Sequence, residues 1–177
     1  MKPSFRNFTA AIAMTLVLGS QPALAKGGKK TFQPGMDTIA AIAVANGNFE
    51  TLVAALTCTD LVGAVAAEGV ELTVFAPTDE AFGNLDLNAG NICSADLPLA
   101  DILLYHVVAE RRPSPSVIRG MNKSIEMLSG GSIYPEGMGS LMIYDNLDRP
   151  IAIGTPDILA SNGIIHVIDD VMLPVAP

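Results

Sequence analysis

The two histidines are the residues whose side chains could most readily support chemistry. His106 and His166 are the only histidines among 177 residues, and each lies inside an apolar run. A shared metal ion or a general base would use such imidazoles. A metal ion would need further donors, which are not apparent in the sequence. The pattern therefore favours two buried imidazoles that hydrogen-bond to the backbone and fix a strand.

A second candidate for acid–base chemistry is the carboxylate pair Asp79 and Glu80. The pair follows Thr78, a residue type that caps helices, so both carboxylates are predicted in the first turn of a helix. Adjacent helical positions do not face one another, which argues against a cooperating pair. The sequence also lacks a nucleophile elbow, a phosphate-binding loop, and CxxC and HExxH motifs. We therefore predict a protein that is not an enzyme, with no catalytic residue, no metal site and no cofactor.

The first 25 residues have the pattern of a secretory signal peptide. Lys2 and Arg6 supply a positive start, residues 10–19 are apolar, and small residues lead up to Ala25. An apolar run of that length is too short to span a membrane, which takes about 18 residues. We predict cleavage after Ala25, a flexible leader over residues 26–35, and secretion to the periplasm or the extracellular space.

The charge of the exported chain bears on its partners. Loss of Lys2 and Arg6 would leave eight basic residues against 18 acidic ones, a net charge of −10. Such a chain is repelled by phosphate backbones, so we do not expect nucleic acid as a partner. Half of the residues are hydrophobic and only 16% are charged, which favours a packed domain over disorder. No later segment is apolar for long enough to predict a transmembrane helix.

Cys58 and Cys93 are the only cysteines, and both lie in the part predicted to be exported. In an oxidising compartment two cysteines most simply form one disulfide. Closing a loop of about 35 residues stabilises a fold by ~3.8 kcal/mol in the chain-entropy model. Two buried free thiols are the alternative.

Helical patterns come first along the chain and strand patterns come later. Helices are predicted over residues 37–45, from 49, over 60–67, after Thr78, over 97–104 and from Ser114; strands are predicted over 71–76, 124–128, 141–144, 151–153 and 164–168. No internal repeat is visible. This order is typical of a single α+β domain.

Three segments of the chain resemble the signature motifs of one family. TVFAPTDEAF (Thr73 to Phe82), LLYHVV (Leu103 to Val108) and ASNGIIHVIDDVMLP (Ala160 to Pro174) are similar, in order and spacing, to motifs of the fasciclin domain. The resemblance covers about residues 36–174, which we predict to be one fasciclin domain. It implies a wedge in which a small β-sandwich has several helices packed at one side.

The same resemblance implies a role in adhesion. In animal matrix members of the family, a Tyr-His motif and an Asp-Ile pair are implicated in integrin contact. The matching residues here are Tyr105 with His106, and Asp157 with Ile158. We therefore predict a secreted interaction module whose partner is a cell-surface or matrix protein or a polysaccharide.

A carrier for an apolar small molecule is the alternative function. Some proteins of this family bind carotenoids, and thioether side chains line adaptable apolar sites. Four methionines lie close together in the sequence: Met121, Met127, Met138 and Met142. They predict a site for a carotenoid-like or lipid ligand, unless they only fill gaps in the core.

Overall fold

The helices and strands follow the predicted order. The computed structural model describes residues 37–119, 123–136 and 141–174, so the predicted signal peptide and leader lie outside the described residues. The helices are α1 Ile39–Ala45, α2 Glu50–Cys58, α3 Val62–Ala66, α4 Asp79–Gly83, α5 Leu99–Leu104 and α6 Ser114–Arg119, with a short 3-10 helix at Ile92–Ser94. The strands are β1 Leu72–Pro77, β2 Val107–Val108, β3 Ile125–Glu126, β4 Ser132–Glu136, β5 Met142–Tyr144, β6 Pro150–Ala160 and β7 Gly163–Ile168. The α+β class is confirmed.

Threonine hydroxyls fix the starts of two helices. The Thr38 hydroxyl accepts a hydrogen bond from the Ala41 amide at the start of α1. The Thr78 hydroxyl does the same for the Ala81 amide at the start of α4. The predicted cap at Thr78 is therefore confirmed, and it turns the chain from β1 directly into a helix.

The strands form one sheet that curls toward a barrel. Their order is β2-β1-β7-β6-β5-β4-β3, with β1 and β7 parallel and the other neighbours antiparallel. Residues 150–152 of β6 pair with β5, and residues 153–160 pair with β7. The register of the pairing with β7 shifts between Ile153 and Thr155 and again between Thr155 and Ile158. The two edges of the sheet meet where the Leu128 amide donates to the Val107 carbonyl over 2.8 Å. The predicted sandwich is thus one folded sheet whose halves share β6.

Two apolar cores lie on opposite sides of the central strands. Leu72, Val74 and Ala76 of β1 face a core built with the helices. Phe75 faces the barrel interior, a second core that also holds isoleucines of β3 to β7. Val74 and Phe75 thus face opposite cores, which explains why β1 is apolar on both faces.

Some of the predicted strands were wrong in extent. No strand was predicted at β4, and only the first part of β6 was predicted. Pro135 lies within β4, and Gly154 and Pro156 lie within β6. Proline and glycine normally interrupt strands, so their local signal concealed these two. The shift in the register of β6 accommodates its irregular segment.

The predicted disulfide between Cys58 and Cys93 is present and ties the end of α2 to the 3-10 helix. The two Cα atoms are 5.8 Å apart, a usual separation for a disulfide. The bridge closes a loop that contains α3, β1 and α4.

Candidate functional site

His106 is held by backbone groups on both sides of its ring. Its Nδ1 lies 2.7 Å from the Ile102 carbonyl oxygen, and its Nε2 lies 3.0 Å from the Met172 amide nitrogen. A carbonyl only accepts and an amide N–H only donates, so Nδ1 carries the proton and Nε2 is the acceptor. Burial lowers the pKa of His106 to about 4, which keeps the imidazole neutral at physiological pH.

His166 is held in the same way but in the opposite tautomer. Its Nε2 donates to the Arg112 carbonyl over 2.9 Å, and its Nδ1 accepts from the Asp157 amide over 3.2 Å. Its ring lies beside that of Phe75, with the two centroids 5.4 Å apart. Burial lowers the pKa of His166 as well. The prediction of two buried, backbone-bonded imidazoles is therefore confirmed.

The two carboxylates of the predicted pair have different surroundings. The Asp79 carboxylate accepts hydrogen bonds from the Glu50 and Thr51 amides, over 3.1 Å and 2.7 Å, at the start of α2. Phe49, the residue before α2, makes no side-chain hydrogen bond to the start of this helix. Asp79, which lies 28 residues after Thr51, supplies the cap instead. Glu80 is exposed beside it. Within the part of the chain that the structure describes, no group of three or more His, Cys, Asp or Glu side chains could hold a metal ion.

Tyr105, the first of the predicted adhesion residues, is buried inside the barrel. Its hydroxyl donates to the Ser132 carbonyl over 2.7 Å and accepts from the Asn146 amide over 2.9 Å. Burial raises the pKa of Tyr105 to about 12. A Cβ atom at Gly131 would lie 2.6 Å from a carbon of the tyrosine ring, so this neighbour has to be glycine. Tyr105 thus connects the end of α5 to the start of β4 and to the turn after β5.

Asp157 caps a helix from a strand. It has a φ of 60° at the irregular segment of β6. One oxygen of its carboxylate accepts from the Ser114 amide over 2.7 Å, and the other accepts from the Ser114 hydroxyl. Because Ser114 is the first residue of α6, the contact fixes that helix against the sheet. Ile158 is half-buried against the helical core.

The four residues predicted from the adhesion motifs differ in how deeply they are buried. Tyr105 and His106 are buried, with 0% and 2% of their surface exposed. Asp157 and Ile158 are half-buried. In the folded chain only the Asp157–Ile158 pair reaches the surface, and the binding role of all four stays a prediction.

An ion pair between Asp145 and Arg149, which no sequence pattern predicted, binds the C-terminal segment. Asp145 is 0% exposed and accepts from the Arg149 guanidinium over 2.6 Å and 3.0 Å. The same guanidinium donates to the Val171 carbonyl, and the Asp145 carboxylate accepts from the Leu173 amide. The available sequence signal for this ion pair was the spacing of four residues between Asp145 and Arg149. Nothing local indicated that this turn binds the C-terminal segment.

The methionines proposed for a carrier site are dispersed. Met121 and Met138 lie outside the described residues. Met127 is buried in the barrel interior, and Met142 is half-buried on β5. A cavity of about 20 Å³ lies between the helices and the sheet, which is room for about one water molecule. The carrier function stays a prediction, and a carotenoid would have to displace packed side chains to enter this cavity.

A larger depression lies where the two edges of the sheet meet. We call it the seam groove: residues 108–110 line one side, and residues 126–128 with Gly130 line the other. Its volume is about 420 Å³, within the range of ligand sites. It is open to solvent, and its walls carry the carboxylates of Glu110 and Glu126.

Comparison with known proteins identifies relatives for most of the chain. A family model described as the fasciclin domain matches residues 47–174. Two cyanobacterial proteins from Synechocystis are similar. Protein sll1483 is 39% identical over 77% of this chain and 73% of its own length. The uncharacterized protein sll1735 is 37% identical over 78% of this chain and 98% of its own length.

Longer animal proteins and one solved structure are similar as well. The pig transforming growth factor-beta-induced protein ig-h3 is 35% identical over 81% of this chain, which corresponds to 20% of the pig protein. A structure of a FAS1 domain pair from the insect cell adhesion molecule Fasciclin I has a TM-score of 0.63 at 18% identity, over 77% of this chain and 51% of the insect chain. Among the described residues, no helix has both the length and the apolarity needed to cross a bilayer.

Proposed function

The chain belongs to the fasciclin domain family, and from that premise we propose that it is an exported, non-catalytic interaction module that attaches cells to a surface or to a matrix. Its partner in this proposal is a cell-surface or matrix protein or a polysaccharide. Export rests on the N-terminal pattern that ends at Ala25, and the exposed Cys58–Cys93 disulfide suits an oxidising compartment.

The observation that carries the proposal is the use of polar side chains inside the fold. Both ring nitrogens of each histidine hydrogen-bond to backbone groups. The carboxylates of Asp79 and Asp157 accept hydrogen bonds at the starts of helices. Among the described residues, no buried side-chain nitrogen or oxygen lacks a hydrogen-bond partner. A catalytic group needs an atom that is free to meet a substrate. These groups have none, which favours recognition through the surface.

The motif residues have different parts in this proposal. Asp157 and Ile158 are accessible and contribute to the contact surface. Tyr105 and His106 are buried, so they support binding by holding α5, the turns beside β4 and the C-terminal segment in place. Substituting either buried residue lowers adhesion in proportion to the loss of folded protein.

An attachment assay tests the proposal. Cells that produce the protein are applied to a surface coated with the purified exported chain, and the attached cells are counted. The control surface carries the same protein after reduction and alkylation of Cys58 and Cys93 in urea, which unfolds it without changing its composition. We expect several-fold more attachment to the folded protein. Equal attachment to both surfaces, together with normal attachment of a strain that lacks the protein, would refute the proposed function.

A further inference from the structure

The seam between β2 and β3 leaves backbone groups unused. Val108 pairs with Thr73 of β1, so the backbone groups of Val107 and Ala109 point away from β1 and toward the seam. On the other edge the Met127 amide donates to Gly131 on the β4 side, so the groups of Glu126 and Leu128 also point to the seam. Both edges therefore direct backbone groups to the seam at every second residue. The Leu128 amide and the Val107 carbonyl bond to each other, and the unused groups are chiefly those of Ala109 and Glu126.

The seam is hydrogen-bonded at one end and open at the other. β2 and β3 run antiparallel, as follows from the strand order and the direction of each pairing. The bond from the Leu128 amide to the Val107 carbonyl makes Ala109 and Glu126 the next facing pair. In the described residues the edges are joined by that one backbone bond, and the seam groove opens at the Ala109–Glu126 position.

The side chains around the groove add apolar and acidic character. Val108 and Met127 belong to the barrel core and form the floor, and Leu128 is 47% exposed at the rim. Glu110 pairs with Arg112. Glu126 is exposed and makes no salt bridge with any described residue, so it leaves a negative charge at the open end.

We propose that the seam groove binds an extended, basic segment of a partner polypeptide, which adds as a strand beside Glu126 or Ala109. This inference rests on the proposed interaction function and names the partner chemistry. Donors and acceptors at every second residue match an extended peptide, whose backbone repeats over about 6.6 Å. The apolar floor formed by Val108 and Met127 contacts the side chains on one face of the peptide, and the carboxylate of Glu126 selects a lysine or arginine on the other face. A second copy of the exported chain is a poor occupant because it is itself acidic, with a net charge of −10.

A peptide titration tests the proposal. The probe is a capped seven-residue peptide of alternating lysine and valine, added to the isotope-labelled exported chain, and the backbone amide resonances are followed by NMR. We expect the Ala109 and Glu126 amides to shift and to gain protection from hydrogen exchange. The same peptide methylated on every valine amide loses one hydrogen-bonding edge and should bind at least tenfold more weakly. A glutamate–valine peptide should not bind.

Charge reversal at the groove provides the matched variant. Glu126→Lys places a cation at the open end on an exposed position, and we expect about a tenfold loss of affinity for the lysine–valine peptide. Asp96→Lys makes the same change in net charge in an exposed loop after the 3-10 helix, and should bind like the wild type. Glu126→Gln, which is milder, should fall between them. The proposal is overturned if the Ala109 and Glu126 amides stay unchanged at about 1 mM peptide, or if both lysine variants bind equally.

The attachment assay separates this proposal from the one on which it rests. If wild-type protein promotes attachment and the Glu126→Lys protein does so equally, the module function stands and the seam groove is not its partner site. If the wild type does not promote attachment, the proposed function fails, while the peptide titration still decides whether the groove binds a strand. Binding of a neutral polysaccharide in the groove, with no effect of the peptide, would also overturn the inference.

Discussion

Lowering the pH should unfold this domain through His106. In the folded chain Nε2 of the ring accepts a hydrogen bond from the Met172 amide, and apolar side chains surround the ring. A proton added at Nε2 would therefore face an N–H group instead of a hydrogen-bond acceptor. Burial lowers the pKa of His106 from 6.5 to about 4. In the unfolded chain the ring is hydrated and keeps its ordinary pKa. Acid therefore protonates the unfolded chain first.

The sign and size of the effect follow from the two pKa values. A folded pKa below the unfolded one gives stability that is fully present above pH 6.5 and is lost as the pH falls toward 4. Each pH unit in that window lowers the free energy of unfolding by about 1.4 kcal/mol, so the total loss is about 3 kcal/mol. His166, whose pKa is also lowered by burial, adds a loss of the same sign. Domains of this size are stable by about 5–15 kcal/mol, so the loss is a large fraction of the total.

Urea unfolding of the wild type and of His106→Asn measures the effect directly. The asparagine amide can still donate to the Ile102 carbonyl, but it leaves the Met172 amide without its acceptor, which costs about 1–3 kcal/mol at neutral pH. The two proteins share every other side chain, so the remaining contributions to the pH dependence cancel in the difference. The gap, taken as the free energy of unfolding of the wild type minus that of the variant, should fall by about 2–3 kcal/mol between pH 7.5 and pH 4.5 and can change sign.

A constant gap across that pH range would refute the reasoning, since it would mean that the folded chain tolerates a protonated ring at residue 106. His166→Asn serves as a second comparison. Its gap should shrink in the same direction, because the ring of His166 also accepts a backbone amide.

Three further results are expected. Tyr105→Phe should lower the free energy of unfolding by about 1–3 kcal/mol in urea melts, because two part-buried backbone groups lose their hydroxyl partner. An unchanged value would contradict a stabilising role for these two hydrogen bonds. Cys58→Ser with Cys93→Ser should lower it by about 3–4 kcal/mol, and a reducing agent should bring the wild type to the same value. Asp157→Asn keeps a residue that tolerates positive φ but removes the charge that caps α6, so the amides of α6 should exchange with solvent faster while those of α2 stay protected; equal protection of α6 in both proteins would argue against the cap.

The sequence alone predicted the features that depend on local chemistry. The Thr78 cap, the helices before the strands and the apolar runs around both histidines are encoded in short segments, because propensity and periodicity act over one or two turns. The disulfide followed from the cysteine count. The three motifs identified the family, and with it a sandwich-like fold that periodicity could not have reached.

Tertiary structure decided where the ends of these segments meet. β4 and the second half of β6 contain proline or glycine and become strands only because neighbouring strands hold them. The bond from Tyr105 to Ser132, the cap that Asp157 gives to α6 and the bond from Arg149 to Val171 each join residues that are far apart in the sequence. The seam groove depends on how nearly the curled sheet closes between Val107 and Leu128. Whether the sheet closes depends on the twist and register of all seven strands together, and no short stretch of sequence determines these.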